Sequence, residues 1–129
     1  MKKKDVRDDI IRAFRKYARL GLYDKSRNPI QTYRRIELIC SSRRSKLDML
    51  AVFDTLRILE LSGEDEALHC IRTVYFSDPA LRLGRLEMGR LVTKCSFELY
   101  CDERTVYRKL QNARDLFEQV REKVGLIED

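Results

Sequence analysis

An all-α chain is predicted by three observations. The 129 residues are 43% hydrophobic and 37% charged, with only five Gly and two Pro. That is too apolar for disorder and too poor in breakers for an all-β chain. Apolar residues recur at 3–4 spacing along most of the sequence, the period of an amphipathic helix. The gaps between those stripes carry cap and stop residues. The expected architecture is a basic helical N-terminal part over residues 1–42, then a helix-turn-helix domain over residues 43–129. The two can pack as one unit.

The first helix is expected from Asp5 to Leu20, with Val6, Ile10, Ile11, Phe14, Tyr17, Ala18 and Leu20 on one stripe and Arg and Lys opposite. Gly21 closes it. Asn28-Pro29 signals a second start, giving a helix from Pro29 to about Cys40. Ser41-Ser42 punctuate weakly. Arg43 then opens a third helix to about Leu61, whose broad apolar stripe suits a helix buried between neighbours. Ser62 to Glu66 reads as a possible cap followed by first-turn acids, opening a fourth helix over Glu64 to Phe76.

Ser77-Asp78-Pro79 is a strong boundary. A short helix is expected over Ala80 to Leu86, interrupted at Gly84. A longer one spans about Leu86 to Leu99. The last helix runs from Asp102 to about Val124, where Gly125 stops it.

The segment from Cys95 to Arg108 has the parts of a helix-turn-helix, a unit that places one helix in the DNA major groove. Ser96 is small enough to let the second helix approach. Leu99, Cys101 and Val106 face the core. Asp102 can cap the second helix, and Glu103 suits its positive end. Core positions continue through Leu110, Ala113, Phe117, Val120 and Val124. The opposite face displays Arg104, Tyr107, Arg108, Gln111 and Arg114. Arg pairs bidentately with guanine and Gln with adenine, while Thr105 or Tyr107 hydroxyls can hold phosphates. The competing reading is an ordinary helical hairpin with a solvated polar face.

The net charge of +6 is uneven. Residues 1–50 hold 15 Lys and Arg against 6 Asp and Glu; residues 51–129 hold 12 against 15. The basic excess therefore lies away from the expected reading helix. Arg43 and Arg44, with the cationic face of the first helix, are candidates to track phosphates. The alternative is a solvated face or pairing with the acidic half.

The four cysteines form no C-x-x-C, and there is one histidine, His69. Reduced core thiols are the expectation, with no metal and no cofactor. An enzyme is not expected. His69 and Cys70 point about 100° apart on a helix, and no Gly-rich phosphate loop exists. Lys2-Lys3-Lys4 lead into charged residues and not an apolar run. No apolar run is long enough for a bilayer. The expectations are no membrane and a cytoplasmic location.

Glu98-Leu99-Tyr100-Cys101-Asp102-Glu103-Arg104-Thr105-Val106-Tyr107-Arg108 resembles the E-L-G-[IV]-S-E-R-T-V-Y-R pattern of sigma-factor-like helix-turn-helix proteins. Tyr100 departs from it where Gly is usual. With Arg43-Arg44-Ser45-Lys46 and Val74-Tyr75-Phe76 upstream, residues 43–124 resemble phage late-gene transcription regulators of the RinA and ArpU type. The segment from Asp78 to Gly89 is extra to that pattern.

The resemblance implies a sigma-70 region-four-like domain and an activating, sequence-specific DNA-binding regulator of phage or mobile-element origin, working in a bacterial host cell. By that analogy Asp102 starts the recognition helix, and Glu103, Arg104, Tyr107, Arg108 and Gln111 face the groove. The expected partner is double-stranded DNA, with RNA polymerase, a sigma factor or a second copy as further candidates. Two other functions fit the same residues: a DNA-binding packaging or assembly subunit, and a sigma-like module that binds polymerase or a sigma factor.

Overall fold

The computed structural model describes residues 3–78 and 83–128, and within helices it places side chains from residue 9 to residue 125. The fold is all-α. In chain order the helices are α1 (Lys3–Arg19), α2 (Pro29–Ile39), α3 (Arg43–Leu61), α4 (Asp65–Cys70), α5 (Arg85–Leu99) and α6 (Glu103–Glu128). A π-helical turn, Ile71–Tyr75, extends α4.

The long helix α6 is the spine. It packs along α3 and also touches α1, α4 and α5. Its inward stripe of Val106, Leu110, Ala113, Phe117 and Val120 is buried. The matching stripe of α3 is broad, as its sequence predicts: Met49, Leu50, Ala51, Val52, Thr55, Leu56 and Leu59 are all buried. α1 shares this core. Phe14 is fully buried, with ring centroids 5.5 Å from both Tyr75 and Phe117.

Capping follows the sequence closely. Asn28 and Gln31 form a reciprocal capping box ahead of α2. The Ser42 side chain accepts from Ser45 N–H at the head of α3. α1 and α3 end in the same way, with a left-handed glycine. Gly21 (φ 71) donates to Ala18 O while Leu22 donates to Tyr17 O; Gly63 (φ 74) donates to Glu60 O while Glu64 donates to Leu59 O. This is the Schellman arrangement, which satisfies the last carbonyls of a helix.

Several expectations needed correction. Ser62 does not cap α4; it closes α3, and Glu64 precedes α4 without a side-chain cap. The expected α-helix to Phe76 widens at Ile71 into the π turn, with Phe76 N–H bonded to Ile71 O at 3.0 Å. The wider turn keeps Ile71, Val74 and Tyr75 all facing the core. Gly125 does not stop α6, which continues to Glu128; one glycine inside a helix costs only about 1 kcal/mol. Of the short helix expected over Ala80 to Leu86, residues 80–82 lie outside the described residues and the rest does not form a separate helix. Leu83 and Gly84 lead straight into α5 at Arg85.

Arg15 binds α1 to the end of the π turn. It is 8% exposed, and its guanidinium donates to Tyr75 O (3.0 Å), Ser77 O (3.1 Å) and Asp78 O (2.9 Å). A cation there meets both the orphan carbonyls and the negative end of the helix dipole. The Arg15 pKa is lowered by this burial, against the pull of Asp78.

Candidate nucleic-acid interface

α5, the corner and the first turns of α6 form a helix pair whose contact is made by small or apolar side chains. Val92, Cys95 and Ser96 of α5 and Val106 and Leu110 of α6 are buried. Ser96 folds its hydroxyl back onto Thr93 O at 2.7 Å, presenting little bulk to α6. Leu99 and Cys101 are half-buried against the core.

The corner is a third Schellman motif. Cys101 N–H bonds to Ser96 O at 3.0 Å and Tyr100 N–H to Phe97 O at 3.3 Å. Tyr100 takes the left-handed position at φ 55, ψ 44. Its side chain is 96% exposed and returns no packing for that backbone conformation. Asp102 then caps α6, accepting from Thr105 N–H at 2.8 Å. Hydrogen bonds from Thr105 hold the Asp102 carboxyl below the usual carboxylate range, and Arg104 and Arg108 add to the effect.

A second tie crosses the corner: Thr93 Oγ1 lies 3.1 Å from Glu103 Oε2. Glu103 is thereby held to α5, a link the sequence did not signal. α5 is also tied to α4. His69 Nε2 stands 2.8 Å from Glu98 Oε1, which also accepts from Thr73. The bond from His69 lowers the Glu98 pKa.

The outer face of α6 is narrower than expected. Arg104, Tyr107 and Arg108 are exposed, and neither arginine makes a hydrogen bond or ion pair among the described residues. Thr105 is half-buried. Gln111 is already engaged, donating to Asp115 Oδ1 at 2.8 Å and accepting from Arg114. Arg114 does not belong to the outer face. It is 9% exposed and donates inward to the Tyr75 hydroxyl. The side-chain period places Arg114 one position beyond Ala113, close enough to the core stripe for its fork to reach a buried phenol. Lys109 pairs with Glu66 of α4 at 3.3 Å.

Arg43 and Arg44 are exposed at the head of α3 and are not brought to the corner. The start of α3 lies beside the far part of α6, where Arg121 Nε stands 3.1 Å from Asp48 Oδ1. Arg121 is 17 residues beyond Arg104, about 25 Å along the helix axis. The Arg44 charge is felt at Asp48, whose carboxyl is nonetheless pushed up by burial.

The outer face of α5 held a surprise. Leu86 is 89% exposed and Phe97 75% exposed. They lie eleven residues apart, three helical turns on one line. The sequence signal was present: both fall out of phase with Val92, Cys95 and Ser96.

Cys70 and Cys95 are buried, their sulfurs 3.5 Å apart, with Cys95 donating to Cys70. Burial pushes the Cys70 thiol up to about 12. Cys40 and Cys101 are half-buried, and all four thiols are free. Among the described residues no group of three His, Cys, Asp or Glu side chains is placed to hold a metal ion. No described helix is long and apolar enough to cross a membrane. No family model matches the chain, and no match was found among curated proteins or solved structures.

Proposed function

We propose that this chain is a sequence-specific double-stranded DNA-binding transcription regulator that reads the major groove with the first turns of α6. The observation that carries the reading is the corner itself. A capped helix start and a close α5–α6 contact present Arg104, Tyr107 and Arg108 outward, with both guanidiniums unengaged. Free guanidiniums at a helix start suit guanine edges or phosphates. Gln111 joins the reading by exchanging Asp115 for a base. Glu103 and Thr105 serve chiefly to fix the corner. Arg43 and Arg44 form a separate basic surface. The activating role, the sigma-region-four-like character, the bacterial host cytoplasm and the phage or mobile-element origin rest on the sequence resemblance.

Genome-fragment selection with the purified chain tests this reading, followed by mobility shifts on the selected site. Arg104→Ala and Arg108→Ala are each expected to weaken specific binding by about 1–3 kcal/mol. Unchanged binding by the double variant overturns the assignment of the reading helix. A second reading, a module that docks on RNA polymerase or a sigma factor, is favoured by exposed Leu86 and Phe97 on α5. Its signature is polymerase or sigma-factor binding with no DNA affinity at low salt.

A further inference from the structure

A cleft of about 540 Å³ opens between the α1–α2 connection, the second half of α3, and α4. No residue of the α5–α6 corner lines it. Its size is in the range that receives small organic molecules. The floor is apolar, with Leu22, Leu56 and Leu68 buried there, and Tyr17, Tyr23 and Phe53 contribute rings.

Tyr17 is the unusual member. It is 2% exposed, and its ring stacks on Phe76 at 6.1 Å. Yet its hydroxyl makes no hydrogen bond among the described residues. The hydroxyl is not sealed in, since the one enclosed side-chain polar atom without a hydrogen bond among the described residues is Asp48 Oδ1, so its oxygen is open to the cleft it lines. Burial raises its pKa, so it remains an O–H group.

The charges in the cleft are sorted by depth. Asp24, Lys25, Glu60 and Asp65 are exposed at the rim, whereas Arg27, Arg57 and Arg72 are half-buried. Arg27 is engaged, donating to Gly21 O at 2.8 Å and facing Asp24 at 3.8 Å. Arg57 makes no hydrogen bond or ion pair among the described residues; its charge acts on Asp54. Arg72 makes one long bond, to the Tyr23 hydroxyl at 3.3 Å. Two guanidiniums with unfilled donors therefore stand in an aromatic cleft whose lining acids are out in solvent, while the half-buried Asp54 acts on Arg57 and Tyr17 without lining it.

We propose that this cleft binds a small organic anion, its planar apolar body lying against Tyr17, Tyr23 and Phe53 and its carboxylate or phosphate held by Arg57 and Arg72. The Tyr17 hydroxyl is left for a polar substituent on that body, which a bare aromatic ring lacks. Guanidinium forks suit either anion, and neither the site nor its ligand depends on the DNA-binding reading.

The test is a titration of the full chain, followed by amide NMR shifts. The probes are 2-naphthoate, 2-naphthyl phosphate, neutral 2-naphthalenemethanol and inorganic phosphate. Saturable shifts are expected over residues 22–29, 53–60 and 65–72 with both anionic naphthalenes, the tighter one identifying the anion. Arg57→Gln and Arg72→Gln should each weaken binding by roughly tenfold or more. The comparison of probes on the unaltered chain needs no variant to fold. The proposal is overturned by an absence of saturable shifts or by shifts elsewhere. It is equally overturned if the neutral alcohol matches the naphthoate, if inorganic phosphate matches its naphthyl ester, or if folded Arg57→Gln and Arg72→Gln bind unchanged.

Discussion

Tyr100 stands where Gly21 and Gly63 stand in the two sister motifs. All three helices end with the same pair of backbone bonds, and a glycine is the low-energy choice at that position. Tyr100 buries nothing to offset that conformation. Tyr100→Gly is therefore expected to raise stability by about 1 kcal/mol, seen as a higher denaturant midpoint. A variant that is less stable would show that the backbone is not strained. Tyr75 illustrates the opposite case, a side chain with a buried task. Tyr75→Phe leaves the Arg114 guanidinium short of its acceptor and should cost about 1–3 kcal/mol, measurable by urea unfolding. The corner was legible because Ser96, Asp102 and Val106 act through local rules of size, capping and period. The inward turn of Arg114 was not, because its partner lies 39 residues away.

At the level of elements, helix ends were legible where a cap or stop acts locally, and misread at Ser62 and Gly125. Asn28-Pro29, Ser42 and Gly21 carry their signals within four residues. The π turn at Ile71–Tyr75 has no such signal; it arises where Arg15 and Phe14 of α1 meet the end of α4. The ties around α5 make a prediction about acid. Glu98 and Asp102 have folded pKa values below their unfolded ones, so the unfolded chain takes up protons first. Their contribution is complete above the ordinary carboxylate range, about pH 4, and drains away as pH falls through the folded values. Asp48 has the opposite sign, its raised pKa favouring the fold at low pH. Amide protection factors at the corner should therefore fall below about pH 4, and Asp102→Asn, which still caps, should flatten that dependence. A corner equally protected at pH 3 and pH 6 would remove the carboxylates from the account.

In the whole molecule, charge and geometry separate two surfaces that composition alone had joined. The basic excess of residues 1–50 suggested a grip on phosphates flanking the reading helix. The fold instead sets Arg43 and Arg44 beside Arg121, while Arg104 and Arg108 stand at the other end of α6. Replacing Arg104 and Arg108 should lower the salt slope of binding by about one unit each. Replacing Arg43 and Arg44 should leave the slope unchanged on a short duplex; a comparable fall would show that DNA reaches both ends. Such long-range placement depends on how α3 packs along α6, which no local pattern in the sequence encodes.

That packing gives α6 a mechanical character. Its 26 residues span about 39 Å without a break, packed against α5 at the corner and against α1, α3 and α4 along the rest. The helix is one continuous rod that runs from the corner through the core. A tilt of about 10° swings one end by roughly 7 Å relative to the other, the width of a base-pair step or two. On the reading proposed above, the packing around Arg121 and the placing of Arg104 and Arg108 are set by one and the same rod.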